Sequence, residues 1–234
     1  MATYVIGDIH NSLSKLDSLF KQMSLSINDH IYFLGDLFDR GGAEPDPVGV
    51  YFRICGLNSH VTWIRGNHDQ LLAEYIRYYY ETPEKKRDSL IPYHYNSFDM
   101  MKERLTEVDI LNLSDQIMKL PLQVEVEIGS ERYLLAHART SFPFLGEVKK
   151  ERYLEGDDTS DEYLRNGIDG FISMVGHMDS SYMMSCGYGR FLDEKSGSIW
   201  TNDKENLYLM DCGCGLAGGQ LACICLETGE RYYS

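Results

Sequence analysis

Five places in this chain set a short polar motif at the end of an apolar run. Gly7-Asp8-Ile9-His10 follows Tyr4-Val5-Ile6, and Gly35-Asp36 opens a segment through Asp39, Arg40 and Gly41 after Ile31 to Leu34. Gly66-Asn67-His68-Asp69 follows Val61 to Ile64, His137 follows Tyr133-Leu134-Leu135, and Gly176-His177 follows Phe171 to Val175. Carboxylates, imidazoles and amide oxygens are ligands that suit one or two divalent cations. Two such cations about 3.5–4 Å apart are a standard arrangement for hydrolysing phosphate esters. If the strand ends converge, the expected chemistry is metal-assisted phosphoester hydrolysis.

The surrounding pattern predicts that they do. Asn11-Ser12 can cap a helix in which Leu13, Leu16, Leu19, Phe20 and Met23 recur at helical spacing. Pro45 and Pro47 open a second helix, and Leu71, Leu72, Tyr75, Ile76 and Tyr79 mark a third over residues 70–80. Strand–loop–helix alternation of this kind implies an α/β fold with parallel strands, whose ligands sit beyond the carboxyl ends of the strands. Residues 81–119 read as a helical insertion, a candidate lid or cap, with the tyrosines of residues 75–80 and 93–95 packing it against the core. Residues 122–136 alternate with period two and turn at Gly129-Ser130, which predicts a hairpin leading to His137. Residues 141–170 are polar and acidic and read as exposed loop, and residues 207–233 read as short antiparallel strands. No linker divides the chain, so one domain over residues 1–234 is expected.

Composition narrows the function classes. A net charge of −14 argues against general nucleic-acid binding, which needs clustered Lys and Arg. It leaves an anionic substrate open, because bound cations invert the local field. No apolar run is long enough for a membrane helix and no secretory leader is visible, so a cytoplasmic location is expected. Four of the six cysteines form two alternate-residue pairs, Cys212 with Cys214 and Cys223 with Cys225. Alternate strand positions share a face, and reduced core thiols are the expectation rather than a metal site.

The motifs, in their order GDIHN, GDLFDRG, GNHD, LLAHA and VGH, resemble those of the calcineurin-like metallophosphoesterase superfamily. Within it they are most similar to the bacterial and phage Ser/Thr phosphoprotein phosphatase branch. The pairing of GDLFDRG with GNHD is the most specific element, and Asp211-Cys212-Gly213 extends the likeness to the closing hairpin. The resemblance implies a β-sandwich flanked by helices and two divalent metals, manganese first, with iron and zinc as alternatives. It implies that Asp8 and His10 bind the first metal, that Asp36 bridges both, and that Asn67, His137 and His177 complete the second. It further implies attack by a metal-bridging hydroxide, with His68 as proton donor, Asp39 as its partner, and Arg40 and Arg65 gripping the phosphoryl group.

The substrate implied is a phosphorylated protein or a small phosphoester. A symmetrical diadenosine tetraphosphate hydrolase is the alternative, ahead of a non-catalytic phosphate-binding module. A nuclease is disfavoured by the acidic charge and by Asp179 standing where nuclease-like relatives carry a second histidine. Asp179 is then a further ligand, a turn residue or a helix cap. Asn11 replaces the usual Gly, a change that Asn tolerates because it accepts positive φ. Among Arg139, Arg152 and Arg165, spacing favours Arg152 as the additional phosphate grip.

Overall fold

The computed structural model describes the chain apart from residues 144, 145, 147, 194 and 196. Its first half runs β1 (Thr3–Ile6), α1 (Leu13–Gln22), β2 (His30–Phe33), α2 (Pro47–Cys55), β3 (His60–Trp63), α3 (Asn67–Glu81), α4 (Glu84–Arg87), α5 (Ser97–Lys102) and α6 (Glu107–Lys119). The second half runs β4 (Gln123–Ile128), β5 (Glu131–Ala136), α7 (Lys150–Leu154), α8 (Asp161–Asn166), β6 (Ile172–Val175) and a 3-10 turn (Ser180–Ser185). It closes with β7 (Arg190–Phe191), β8 (Trp200–Thr201), β9 (Leu207–Leu209), β10 (Ala222–Cys225) and β11 (Arg231–Tyr233).

Two sheets result, in the orders β11-β10-β1-β2-β3 and β4-β5-β6-β9-β8-β7. Strands β1, β2 and β3 are parallel, as are β5, β6 and β9. Side-chain alternation assigns each strand residue to a layer. Tyr4 and Ile6 join Phe33, Leu16 and Leu72 in the core beneath the helices, whereas Val5, Tyr32, Leu34 and Ile64 meet Tyr133, Leu135 and Met174 between the sheets. A third core, with Val175, Leu207, Leu209, Trp200, Tyr163 and Met183, covers the remaining face of the second sheet. Each fully buried aliphatic or aromatic side chain contributes about 1.5–3 kcal/mol, which is what holds the strand ends in fixed relation. The α/β reading and the helix-flanked sandwich stand.

Local chemistry accounts for the helix starts. Pro47 occupies the first turn of α2, and the Asp46 side chain accepts from Gly49 N at 2.8 Å. Thr106 and Asp109 cap α6 reciprocally. Helix α3 starts at Asn67, three residues earlier than the apolar pattern suggests, because Gly66 N donates to Asp69 Oδ2 at 2.9 Å and closes the first turn. Asn67 and His68 therefore ride on a helix terminus.

The helical segment 81–119 packs on the first core through Phe98, Met101, Ile110, Leu113 and Ile117. Two expectations are corrected. The loop expected over residues 141–170 carries α7 and α8 and buries Leu154 and Tyr163, although part of it (residues 144, 145 and 147) lies outside the described residues. Strand β9 pairs parallel with β6 as well as antiparallel with β8, so the C-terminal part is not wholly antiparallel.

All six cysteines are free thiols, and Cys212, Cys214, Cys223 and Cys225 are buried. Burial also pushes the thiols of Cys212 and Cys223 upward in pKa. A thiol reagent is expected to modify only Cys55 and Cys186 in the native protein and all six after denaturation. Rapid native labelling of more than two sites would contradict this packing.

Candidate metal centre

Strands β1, β2, β3, β5, β6 and β9 all deliver polar residues at their carboxyl ends. Asp8 leaves β1 and accepts from His177 N with both oxygens, at 3.2 and 3.0 Å. Asp36 leaves β2, and its Oδ1 accepts from His68 N at 2.9 Å. Its two oxygens face different histidines: Oδ2 lies 3.8 Å from His10 Nε2, and Oδ1 lies 3.4 Å from His137 Nε2. Asn67 Oδ1 sits 2.9 Å from His137 Nε2 and 3.1 Å from His177 Nδ1. Asp8 Oδ2 adjoins His10 Nε2 at 3.9 Å. The six residues expected to bind metal are thus brought together.

The glycines of the motifs are explained by close approach. A Cβ on Gly66 would stand 2.1 Å from Asp36 Oδ1, and one on Gly176 would stand 2.0 Å from Asp8 Oδ1. The backbone is also bent where these side chains leave it: φ is +48° at His10, +50° at Asp36 and +63° at His177. Each such residue costs about 1–3 kcal/mol, which the surrounding core must supply.

Second neighbours set the imidazole tautomers. His10 Nδ1 donates to the Phe38 carbonyl at 3.0 Å, and His137 Nδ1 donates to the Leu34 carbonyl at 2.9 Å. A carbonyl only accepts, so Nδ1 carries the proton and Nε2 is left facing the carboxylates. Burial pushes His10 and His177 down to about 4, which keeps them neutral at neutral pH. Burial also opposes charge on His137, but the Asp36 carboxylate outweighs it and raises His137 to about 10. His137 Nε2 lies 3.4 Å from Asp36 Oδ1 and 2.9 Å from Asn67 Oδ1, a grouping that favours a positive charge among them. A proton can supply that charge, and the same donors suit a divalent cation. Among the described residues, His10, Asp36 and His68 form one group able to hold a cation, and Asp36, His137 and His177 form another, each with atoms within 4.8 Å.

Beside the first group, His68 Nδ1 meets Asp39 Oδ2 at 3.1 Å, both side chains being buried. Arg40 Nη1 donates to His10 Nε2 at 3.2 Å, so its guanidinium borders the cluster. The Arg65 guanidinium instead donates to Gln70 Oε1 at 2.8 Å and Leu120 O at 3.1 Å, partners outside the cluster. Arg139 and Arg152 both pair with Asp158, and Arg165 pairs with Asp161 at 2.6 Å. Asp179 caps the 3-10 turn, its Oδ1 accepting from Ser181 N at 2.8 Å. Asn11 has a φ of +58° and uses its amide to bond Ser97 Oγ at 3.0 Å.

Three residues named in the motifs and the tyrosine-rich stretch have roles at the site that the sequence does not announce. Asp211, at the end of β9, is buried and adds its charge to that of Asp8; burial, with Asp179 and Asp36, pushes it up to about 6. Its place after the apolar run Leu207 to Met210 was the available signal. Asp69 accepts four hydrogen bonds beneath the cluster. Tyr93 reaches Asp39 from the 81–119 segment, and no spacing rule announces that contact.

The calcineurin-like phosphoesterase family model matches residues 1–212. A symmetrical bis(5'-nucleosyl)-tetraphosphatase of Pectobacterium atrosepticum is 31% identical over 141 residues, covering 59% of this chain and 43% of the relative. The enzyme of the same name from Proteus mirabilis is 30% identical over 168 residues, covering 70% and 54%. The chain thus spans about half the length of these curated relatives. A crystal structure provisionally named a diadenosine tetraphosphatase superposes with a TM-score of 0.63 at 16% identity, covering 100% of this chain and 92% of the other. A Saccharomyces cerevisiae Ser/Thr phosphatase superposes at 0.57 with 14% identity, covering 100% and 79%. With strand-end motifs, helix-flanked sheets and a family match over most of its length, the chain belongs to the calcineurin-like phosphoesterases, a family of metal-dependent hydrolases of phosphoric esters.

Proposed function

We propose that this protein hydrolyses a phosphoric ester or anhydride with two divalent cations, and that its substrate is a nucleotide polyphosphate of the dinucleoside tetraphosphate class. The observation that carries the reaction is the placement of Asp36 between His10 and His137, with the His68–Asp39 pair alongside. Asp8, His10 and Asp36 would hold one cation, and Asp36, Asn67, His137 and His177 the other. Such cations supply an activated water and neutralise phosphoryl oxygens, with manganese the first candidate ahead of iron and zinc.

The chain's own residues do the rest. Arg40 borders the cluster and offers a planar fork to phosphoryl oxygens. His68 gives a proton to the leaving oxygen, and Asp39 fixes the ring through Nδ1. The substrate class is supported by the names of the curated relatives. The intact Asp39-Arg40-Gly41 motif favours a Ser/Thr phosphatase as the second reading. Its structural counterpart at 14% identity speaks to the fold alone, so the dinucleotide comes first.

A manganese-dependent panel of diadenosine tetraphosphate, a phosphothreonine peptide and p-nitrophenyl phosphate tests this. ADP as the nucleotide product, formed faster than phosphate from the peptide, is the expected result. Faster peptide turnover overturns the substrate assignment while leaving the reaction class intact. In the same panel His68→Asn is expected to lose about 10²–10⁴-fold in kcat on the slower leaving groups, the usual worth of a positioned proton donor.

A further inference from the structure

The stretch Tyr93 to Ser97, which runs from the α4–α5 connection into the first residue of α5, lies against the loop that carries Asp39 and Arg40. Tyr93 Oη donates to Asp39 Oδ2 at 2.7 Å, the same oxygen that meets His68 Nδ1 at 3.1 Å. Asp39 Oδ1 is buried and has no hydrogen-bond partner among the described residues. The orientation of this carboxylate therefore rests on two bonds to one oxygen. The same stretch holds the backbone beneath it. Asp39 N donates to Ser97 Oγ at 2.7 Å, and Asn96 Nδ2 donates to Arg40 O at 2.7 Å. These bonds pin a loop whose φ is +67° at Asp39 and +61° at Arg40. The Tyr95 ring packs on the His68 ring with centroids 4.4 Å apart.

We infer that Tyr93 is a positioning residue for the proton donor, acting through Asp39, and that the Tyr93–Ser97 stretch is the clamp that keeps His68 aimed at the leaving oxygen. The inference rests on the reading of His68 given above. Without the Tyr93 hydroxyl, the Asp39 carboxylate keeps one orienting bond and can turn about its terminal torsion. His68 then loses a fixed partner, and a small misplacement of a catalytic group is costly in rate. The competing view is that Tyr93 only packs, since its ring centroid lies 5.0 Å from that of Tyr75. Tyr93→Phe keeps that packing and removes only the hydroxyl.

A proton donor matters most when the leaving oxygen is basic. Wild type, Tyr93→Phe, His68→Asn and the double variant would be assayed with manganese on 2,4-dinitrophenyl, p-nitrophenyl and phenyl phosphate and on an alkyl phosphate. For Tyr93→Phe the expected kcat loss grows from almost none on the dinitrophenyl ester to about tenfold or more on phenyl and alkyl esters, a fraction of the full proton-donor effect. KM is expected to stay unchanged, and the double variant to be no slower than His68→Asn alone. An equal loss on every ester, no loss on any, or additive losses in the double variant would overturn the positioning role. A wild type that hydrolyses neither this series nor diadenosine tetraphosphate, with metal bound, would overturn the phosphoesterase reading and the inference with it.

Discussion

Asp36→Asn is expected to abolish activity and to leave no tight binding of two manganese ions per chain. Asp36 is the only carboxylate among the described residues in both candidate cation groups. Its oxygens point to His10 on one side and His137 on the other, so one neutral amide in its place weakens both positions at once. Removing a group that merely orients a ligand costs about 10–100-fold in metal affinity or activity, and a shared ligand must exceed that. The amide is nearly isosteric, and its oxygen can still accept from His68 N, so the fold is expected to survive. Titration calorimetry with manganese, followed by the ester panel, reads the effect directly. Two cations bound with wild-type affinity would show that the centre is organised around other residues. A smaller loss, confined to one cation, is expected for His177→Ala. That side chain belongs to only one group, and burial already holds it neutral by pushing it down to about 4.

The convergence of the candidate site was legible because its residues lie in contiguous motifs. Gly-Asp, Gly-Asn-His and Gly-His each follow an apolar run, and parallel strands in both sheets bring such ends together. The core was legible for a similar reason, since periods of two and 3.6 residues announce strands and helices locally. The illegible parts are contacts between segments far apart in the chain. Tyr93 meets Asp39 across 54 residues, and Asn11 meets Ser97 across 86. Neither leaves a periodic trace. Arg65 stood beside the Gly66 motif yet bonds to Gln70 and Leu120, because its direction depends on where α6 ends. Helices α7 and α8 span 5 and 6 residues, too short to develop an apolar stripe. The pairing of β9 with β6 depends on the crossover that precedes it, which no local pattern encodes.

Asp69→Ala carries the largest expected cost in stability. The Asp69 side chain is fully buried, and its Oδ2 accepts from Asp36 N at 3.0 Å, Gly66 N at 2.9 Å and Trp63 Nε1 at 3.1 Å. Its Oδ1 accepts from Leu37 N at 3.0 Å. One carboxylate therefore ties the end of β3 and the start of α3 to the loop after β2, which includes Asp36 itself. Alanine leaves four donors facing a cavity that offers them nothing. An unsatisfied buried donor costs about 1–3 kcal/mol, and partial rescue by water brings the expected total to about 4 kcal/mol. For a domain of this size, that lowers the unfolding midpoint by about 8–16 °C. Trp63→Phe removes one of the four donors and keeps an aromatic ring in the core, so about 1 kcal/mol is expected there. Thermal and denaturant unfolding of both variants gives the comparison. Amide exchange at Asp36, Leu37 and Gly66 adds a local readout, because these protons should lose protection in Asp69→Ala and keep it in Trp63→Phe. Equal destabilisation by the two variants would mean that Asp69 serves the Trp63 indole alone, and that the loop bearing Asp36 is held by its backbone bonds to Ile9 and His10.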